Sequence, residues 1–122
     1  MSKIKSTILV VEDDEDVLYT TRLVLSKKFS NVLSETDPKR LHRILSQEPV
    51  EIVILDMNFS KGRTNGNEGL FWLREMLKIR PSVAVIMHTA YADINLAVEA
   101  MKIGAVDFLV KPWEPEKIVE IV

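Results

Sequence analysis

Ile8-Leu9-Val10-Val11-Glu12-Asp13 is four apolar residues followed at once by two acids, and Ile52-Val53-Ile54-Leu55-Asp56 repeats the form. Two later stretches share it: Val83-Ala84-Val85-Ile86-Met87 before His88-Thr89, and Phe108-Leu109-Val110 before Lys111. Continuous apolar runs this short, separated by helix-like segments, read as strands buried on both faces, as in a parallel sheet. Ligands of such sheets sit outside the carboxyl ends of the strands. Glu12, Asp13, Asp56, Thr89 and Lys111 therefore fall at one edge. Carboxylates suit a divalent cation, and a hydroxyl and an ammonium suit an anion. Together they point to phosphoryl chemistry.

The segments between the runs carry helix signals. Asp14 or Asp16 caps a first helix predicted to reach about Lys28, with Lys27-Lys28 at its negative end. A weak second strand spans Asn31 to Ser34. Asp37-Pro38, a cap followed by proline at the first helical position, opens a helix to about Gln47. The third strand runs from Glu51 to Leu55. Ser60 to Gly69 reads as a loop with three glycines and an Asn65-Gly66 turn. A helix follows from Leu70 to Ile79, ended ahead of Pro81. Strand four covers Val83 to Met87. Asp93 caps a helix from Ile94 to Ile103, closed by Gly104. Strand five covers Asp107 to Val110, and Glu114 starts a last helix. Five β/α units in this rhythm predict an α/β fold, a flavodoxin-like doubly wound five-stranded parallel sheet of order 2-1-3-4-5 with helices on both faces. Its switch point lies between strands one and three, which end in Glu12-Asp13 and Asp56.

The 122 residues fit one domain, spanning 1–122. Zero cysteines exclude a disulfide scaffold and thiolate metal sites, and suit a cytoplasmic location. No apolar stretch is long enough to span a bilayer, and Met1-Ser2-Lys3-Ile4-Lys5 lacks the apolar segment of a signal peptide. A net charge of −2 without a basic stripe argues against direct nucleic-acid binding by this segment. Ile118, Val119, Ile121 and Val122 form an apolar, uncapped end. It reads as a last helix cut from a longer protein, of which this chain is the N-terminal part.

Glu12, Asp13 and Asp56 at one edge would repel one another unless a cation sat between them, and Mg2+ is the natural choice. An ionised aspartate can act as nucleophile and form an acyl phosphate. Each residue alone has a plain reading: an Asp after a strand is usually a cap, and a lone Lys is usually solvated. The joint pattern favours the site. His88, beside Thr89, is a conceivable metal ligand, although a strand-end histidine filling space is the commoner case. His42 lies in a polar helix and reads as solvated.

Val-Val-Glu12-Asp13-Asp14, Ile-Leu-Asp56-Met57-Asn58, Thr89-Ala90 and Phe108-Leu-Val-Lys111-Pro112 resemble the receiver domain of two-component response regulators, in the right order across essentially the whole chain. The resemblance implies that Asp56 accepts a phosphoryl group from a sensor histidine kinase. It implies that Glu12, Asp13, Asp56 and the backbone carbonyl of Asn58 hold Mg2+, and that Thr89 and Lys111 contact the phosphoryl group. Thr89 and Phe108 would form the switch, and the fourth helix, fifth strand and fifth helix would form a phosphorylation-dependent homodimer. Such a domain signals and catalyses only its own phosphorylation and dephosphorylation. The long loop after Asp56, and Ser60 where the family commonly has proline, depart from the usual pattern. Asn-Glu-Gly-Leu-Phe-Trp-Leu-Arg-Glu and Thr-Ala-Tyr-Ala-Asp look like receivers of nitrogen-regulation-type, sigma-54-dependent activators. That likeness implies a transcriptional output through an AAA+ ATPase and a DNA-binding region. The alternatives are a stand-alone chemotaxis-type receiver and a Mg2+-dependent aspartyl phosphatase. The phosphatase family places its nucleophile at the first strand in an Asp-x-Asp pattern, which Glu12-Asp13-Asp14 does not match. A flavin carrier is disfavoured because Glu12 to Asp16 would repel its phosphate.

Overall fold

The computed structural model describes residues 4–56, 67–90 and 94–111. In chain order they form β1 (Ile4–Val11), α1 (Glu15–Ser26), β2 (Phe29–Glu35), a 3-10 turn (Pro38–Arg40), α2 (Leu41–Gln47), β3 (Val50–Asp56), α3 (Asn67–Ile79), β4 (Ala84–Ala90), α4 (Ile94–Ile103) and β5 (Asp107–Lys111). The strands make one five-stranded sheet of order β2-β1-β3-β4-β5, every neighbouring pair parallel. This is the doubly wound order read from the sequence.

The unbroken apolar runs have a direct cause. Successive side chains of a strand point to opposite faces. Ile8, Val10, Ile54, Ile86 and Leu109 pack on one face with Val24, Leu25 and Leu18 of α1. Leu9, Val11, Val53, Leu55, Val85 and Met87 pack on the other with Leu41 and Leu45 of α2, Leu70, Leu73 and Met76 of α3, and Ala100 of α4. With helices on both sides, neither parity can be polar. No helix among the described residues is long and apolar enough to cross a membrane.

Several boundaries differ from the sequence reading. The first helix stops at Ser26, and Lys27 and Lys28 form the turn, their N–H groups donating to Val24 and Leu25 carbonyls. Asp37-Pro38 opens a 3-10 turn rather than the α-helix itself. The Arg40 N–H bonds back to the Asp37 carbonyl at 3.1 Å, while Asp37 Oδ1 accepts from the Lys39 N–H at 2.9 Å. α3 begins at Asn67, so Gly69, expected in the loop, is buried within the first helical turn. β4 and β5 extend past their apolar runs to Ala90 and Lys111. Hydrophobicity marks burial, whereas a ladder continues for as long as backbone groups stay paired. The loop residues 60–66, Asp93, and the expected last helix lie outside the described residues.

Candidate functional site

β1 delivers Glu12. Its N–H donates to the Glu35 carbonyl at 3.1 Å, so the residue stays tied to β2 just past the last β1–β3 pair, Val11 with Leu55. β3 delivers Asp56 as its final residue, in register with His88 of β4. The period of two that sends Ile8 and Val10 to the α1 face sends Glu12 there too. It does the same for Asp56 after Ile54, and for His88 after Ile86. One row of polar side chains thus continues the apolar rows at the carboxyl ends of three adjacent strands. Glu12 and His88 are each 1% exposed and Asp56 is 4% exposed.

Asp13 stands at the turn from β1 into α1 and is half-buried. Asp14 is the N-cap of α1. Its backbone is extended (φ −81°, ψ 111°), and its Oδ1 accepts from the N–H groups of Asp16 and Val17 at 2.9 and 3.2 Å. Asp16 is therefore not the cap. Glu15 and Asp16 instead occupy the first turn, where the helix dipole favours negative charge.

Ligand oxygens of Glu12, Asp13 and Asp56 lie within 4.8 Å of one another. Ionised together, two carboxylates at that separation repel by roughly 3 kcal/mol at an effective dielectric near 20. Between Glu12 and Asp56, both buried, little water is left to offset this. A hard divalent cation offsets it, and an all-oxygen donor set suits Mg2+ or Ca2+ better than thiophilic metals. The donor chemistry and the spacing fit the Mg2+ expected from sequence. His88 does not belong to this ligand group. Its Nδ1 lies instead 3.5 Å from Glu12 Oε1, a contact not anticipated in the sequence reading. The signal was available in parity, since His88 stands two residues after Ile86 as Asp56 stands two after Ile54.

Thr89 and Lys111 occupy late positions of β4 and β5, Thr89 in register with Val110 and Ala90 with Lys111. Their side chains, and all of Asn58, lie outside the described residues. Phe108 is half-buried against the α2–α3–α4 core, in register with Met87. His42 is exposed on α2, as expected. Val98 and Met101 of α4 are 47% and 38% exposed.

Residues 8–122 match the family described as the response regulator receiver domain. Among curated proteins, the chain is 30% identical over 117 residues to the alginate biosynthesis transcriptional regulatory protein AlgB of Pseudomonas aeruginosa, a match covering 96% of this chain and 25% of that relative. The chain thus spans a quarter of the relative's length. Among solved structures, it resembles the N-terminal signal receiver domain of a two-component response regulator from Bacteroides fragilis. That likeness has a TM-score of 0.85 and 44% identity, and covers 95% of this chain and 92% of the other. The receiver domain of NtrX from Brucella abortus superposes with a TM-score of 0.84 at 27% identity, covering 93% and 92% of the two chains.

Proposed function

We propose, on the premise that this chain belongs to the response regulator receiver domain family, that it is a phosphorelay switch whose phosphoacceptor is Asp56. The observation that carries this reading is the convergence of Glu12, Asp13 and Asp56 within 4.8 Å at the carboxyl ends of β1 and β3. An Asp56 oxygen attacks the phosphorus of a kinase phosphohistidine. The new O–P bond forms as the P–N bond breaks, and the departing imidazole takes up a proton. Glu12, Asp13, Asp56 and the Asn58 carbonyl would hold Mg2+, which would supply charge neutralisation for the carboxylates and the phosphoryl oxygens. Thr89 and Lys111 contact those oxygens in this reading, supported by their late positions on the two adjacent strands.

The same reading assigns the switch to Thr89 and Phe108. Phosphorylation biases a pre-existing equilibrium, and the surface of α4, β5 and the following helix reports it as a homodimer. Val98, Met101 and Val106, exposed on α4 and just ahead of β5, support that surface. A transcriptional output carried beyond this chain is supported by the likeness to AlgB. The protein acts in the cytoplasm and catalyses only its own phosphorylation and dephosphorylation.

Intact-mass measurement with acetyl phosphate or phosphoramidate tests the core of this reading. The chain gains one phosphoryl group with Mg2+ and none with chelator, and Asp56→Asn gains none. An Asp56→Asn protein that gains the same mass at the same rate overturns it. Sedimentation with beryllofluoride and Mg2+ tests the dimer separately: unchanged sedimentation with ligand bound removes the dimer and leaves the phosphoacceptor standing.

A further inference from the structure

We propose that His88 is a positioning residue for the metal site, orienting the Glu12 carboxylate through its ring Nδ1. The inference rests on the Mg2+ reading above. Asp56 and His88 are register partners on β3 and β4, and Glu12 follows the last β1–β3 pair, so the three stand in one row on the α1 face of the sheet. Glu12 and His88 are both 1% exposed, which leaves bulk water no part in orienting either. His88 Nδ1 stands 3.5 Å from Glu12 Oε1, and the Asp14 N–H donates to Oε2 at 3.3 Å. Both oxygens of Glu12 therefore have a nitrogen nearby: Oε1 has an imidazole from two strands away at ion-pair distance, and Oε2 accepts from the cap of α1.

The ligand group is Glu12, Asp13 and Asp56, without His88. The imidazole thus acts on the metal through Glu12. A neutral imidazole carries its proton on one ring nitrogen, and Nδ1 is the one facing a carboxylate oxygen. Space-filling alone would be served by an apolar residue continuing the Ala84 and Ile86 row. The polar ring in that place has a polar neighbour to hold. Groups that orient a metal-binding side chain commonly change affinity about 10–100-fold when lost.

Calorimetric Mg2+ titration of the 122-residue chain tests the inference, with thermal melts in chelator to monitor folding. The amide nitrogen of asparagine falls near the place of Nδ1, and that of glutamine near Nε2. His88→Asn therefore keeps an affinity close to that of the unaltered chain, whereas His88→Gln and His88→Leu bind about tenfold or more weakly. Glu12→Gln weakens binding at least as far. A folded His88→Gln or His88→Leu protein with unaltered affinity overturns the positioning role. So does His88→Asn as weak as His88→Gln, or unaltered affinity in Glu12→Gln beside a weakened His88→Gln. If the unaltered chain binds no Mg2+, the metal reading itself fails and takes this inference with it.

Discussion

The backbone N–H of Asp14 donates to Oε2 of Glu12 at 3.3 Å, while the Asp14 carboxylate caps α1. One residue therefore ties the start of a helix to a carboxylate of the acidic cluster. The acidic run from Glu12 to Asp16 is divided by this geometry. Glu12 and Asp13 converge with Asp56, Asp14 serves the cap, and Glu15 and Asp16 stand where the helix dipole favours negative charge.

Replacing the cap separates two of these roles. Asp14→Ala removes the acceptor for the Asp16 and Val17 N–H groups but keeps the backbone N–H that reaches Glu12. The expected loss is about 1 kcal/mol of stability. Urea denaturation measures it. Mg2+ affinity changes little, because the donor to Glu12 is unaltered.

Charge at the site sets a second expectation. Without metal, Asp13→Asn relieves repulsion with Glu12 and Asp56 and raises stability by about 1 kcal/mol, a value kept modest because Asp13 is half-buried and water screens it. In the unaltered chain, Mg2+ at tenfold its dissociation constant adds about 1.4 kcal/mol, and chelator removes it. Asp13→Asn at the same Mg2+ concentration shows a smaller gain. Thermal melts with and without metal measure both effects.

Arg80 locks the side of the sheet away from the site. Its guanidinium follows α3 and donates to the Val50 carbonyl at 2.5 Å, to the Glu48 carbonyl at 3.0 Å, and to the Leu45 carbonyl. It thereby serves the end of α2 and the start of β3 together. Lysine has no planar fork to span three carbonyls. Arg80→Ala is expected to cost about 2–3 kcal/mol and Arg80→Lys about half of that. The midpoint of urea unfolding reports this at an unchanged slope.

Gly104 closes α4 with φ +142°, a backbone conformation that L side chains rarely adopt. A Cβ there would also meet Leu77 Cδ1 at 2.9 Å, the far end of a flexible side chain. Gly104→Ala is expected to cost about 1–2 kcal/mol, most of it from the backbone. Adding Leu77→Val should not restore the loss. Full recovery in the double variant would assign the cost to the contact instead.

The sheet was legible because burial on both faces is written into composition: Ile8 to Val11 and Ile52 to Leu55 have no polar parity to confuse with a helix. The ends of elements were less legible. Lys27 and Lys28 have the propensity to extend α1, and Gly69 has the look of a loop. Both outcomes depend on where the neighbouring backbone finds its partners. Glu12, Asp13 and Asp56 could be placed at one edge because strand order brings the ends of β1 and β3 together.

The contact between Glu12 and His88 was not legible. These residues are 76 positions apart, and the register that aligns His88 with Asp56 is a property of paired strands, absent from either strand alone. Local chemistry was thus carried by residue type and spacing: two acids after one strand and one at the end of another. Which oxygen faces which nitrogen, and which of these groups are shut away from water, came only from pairing and packing. Those set distances between side chains, and the order of residues along the chain does not.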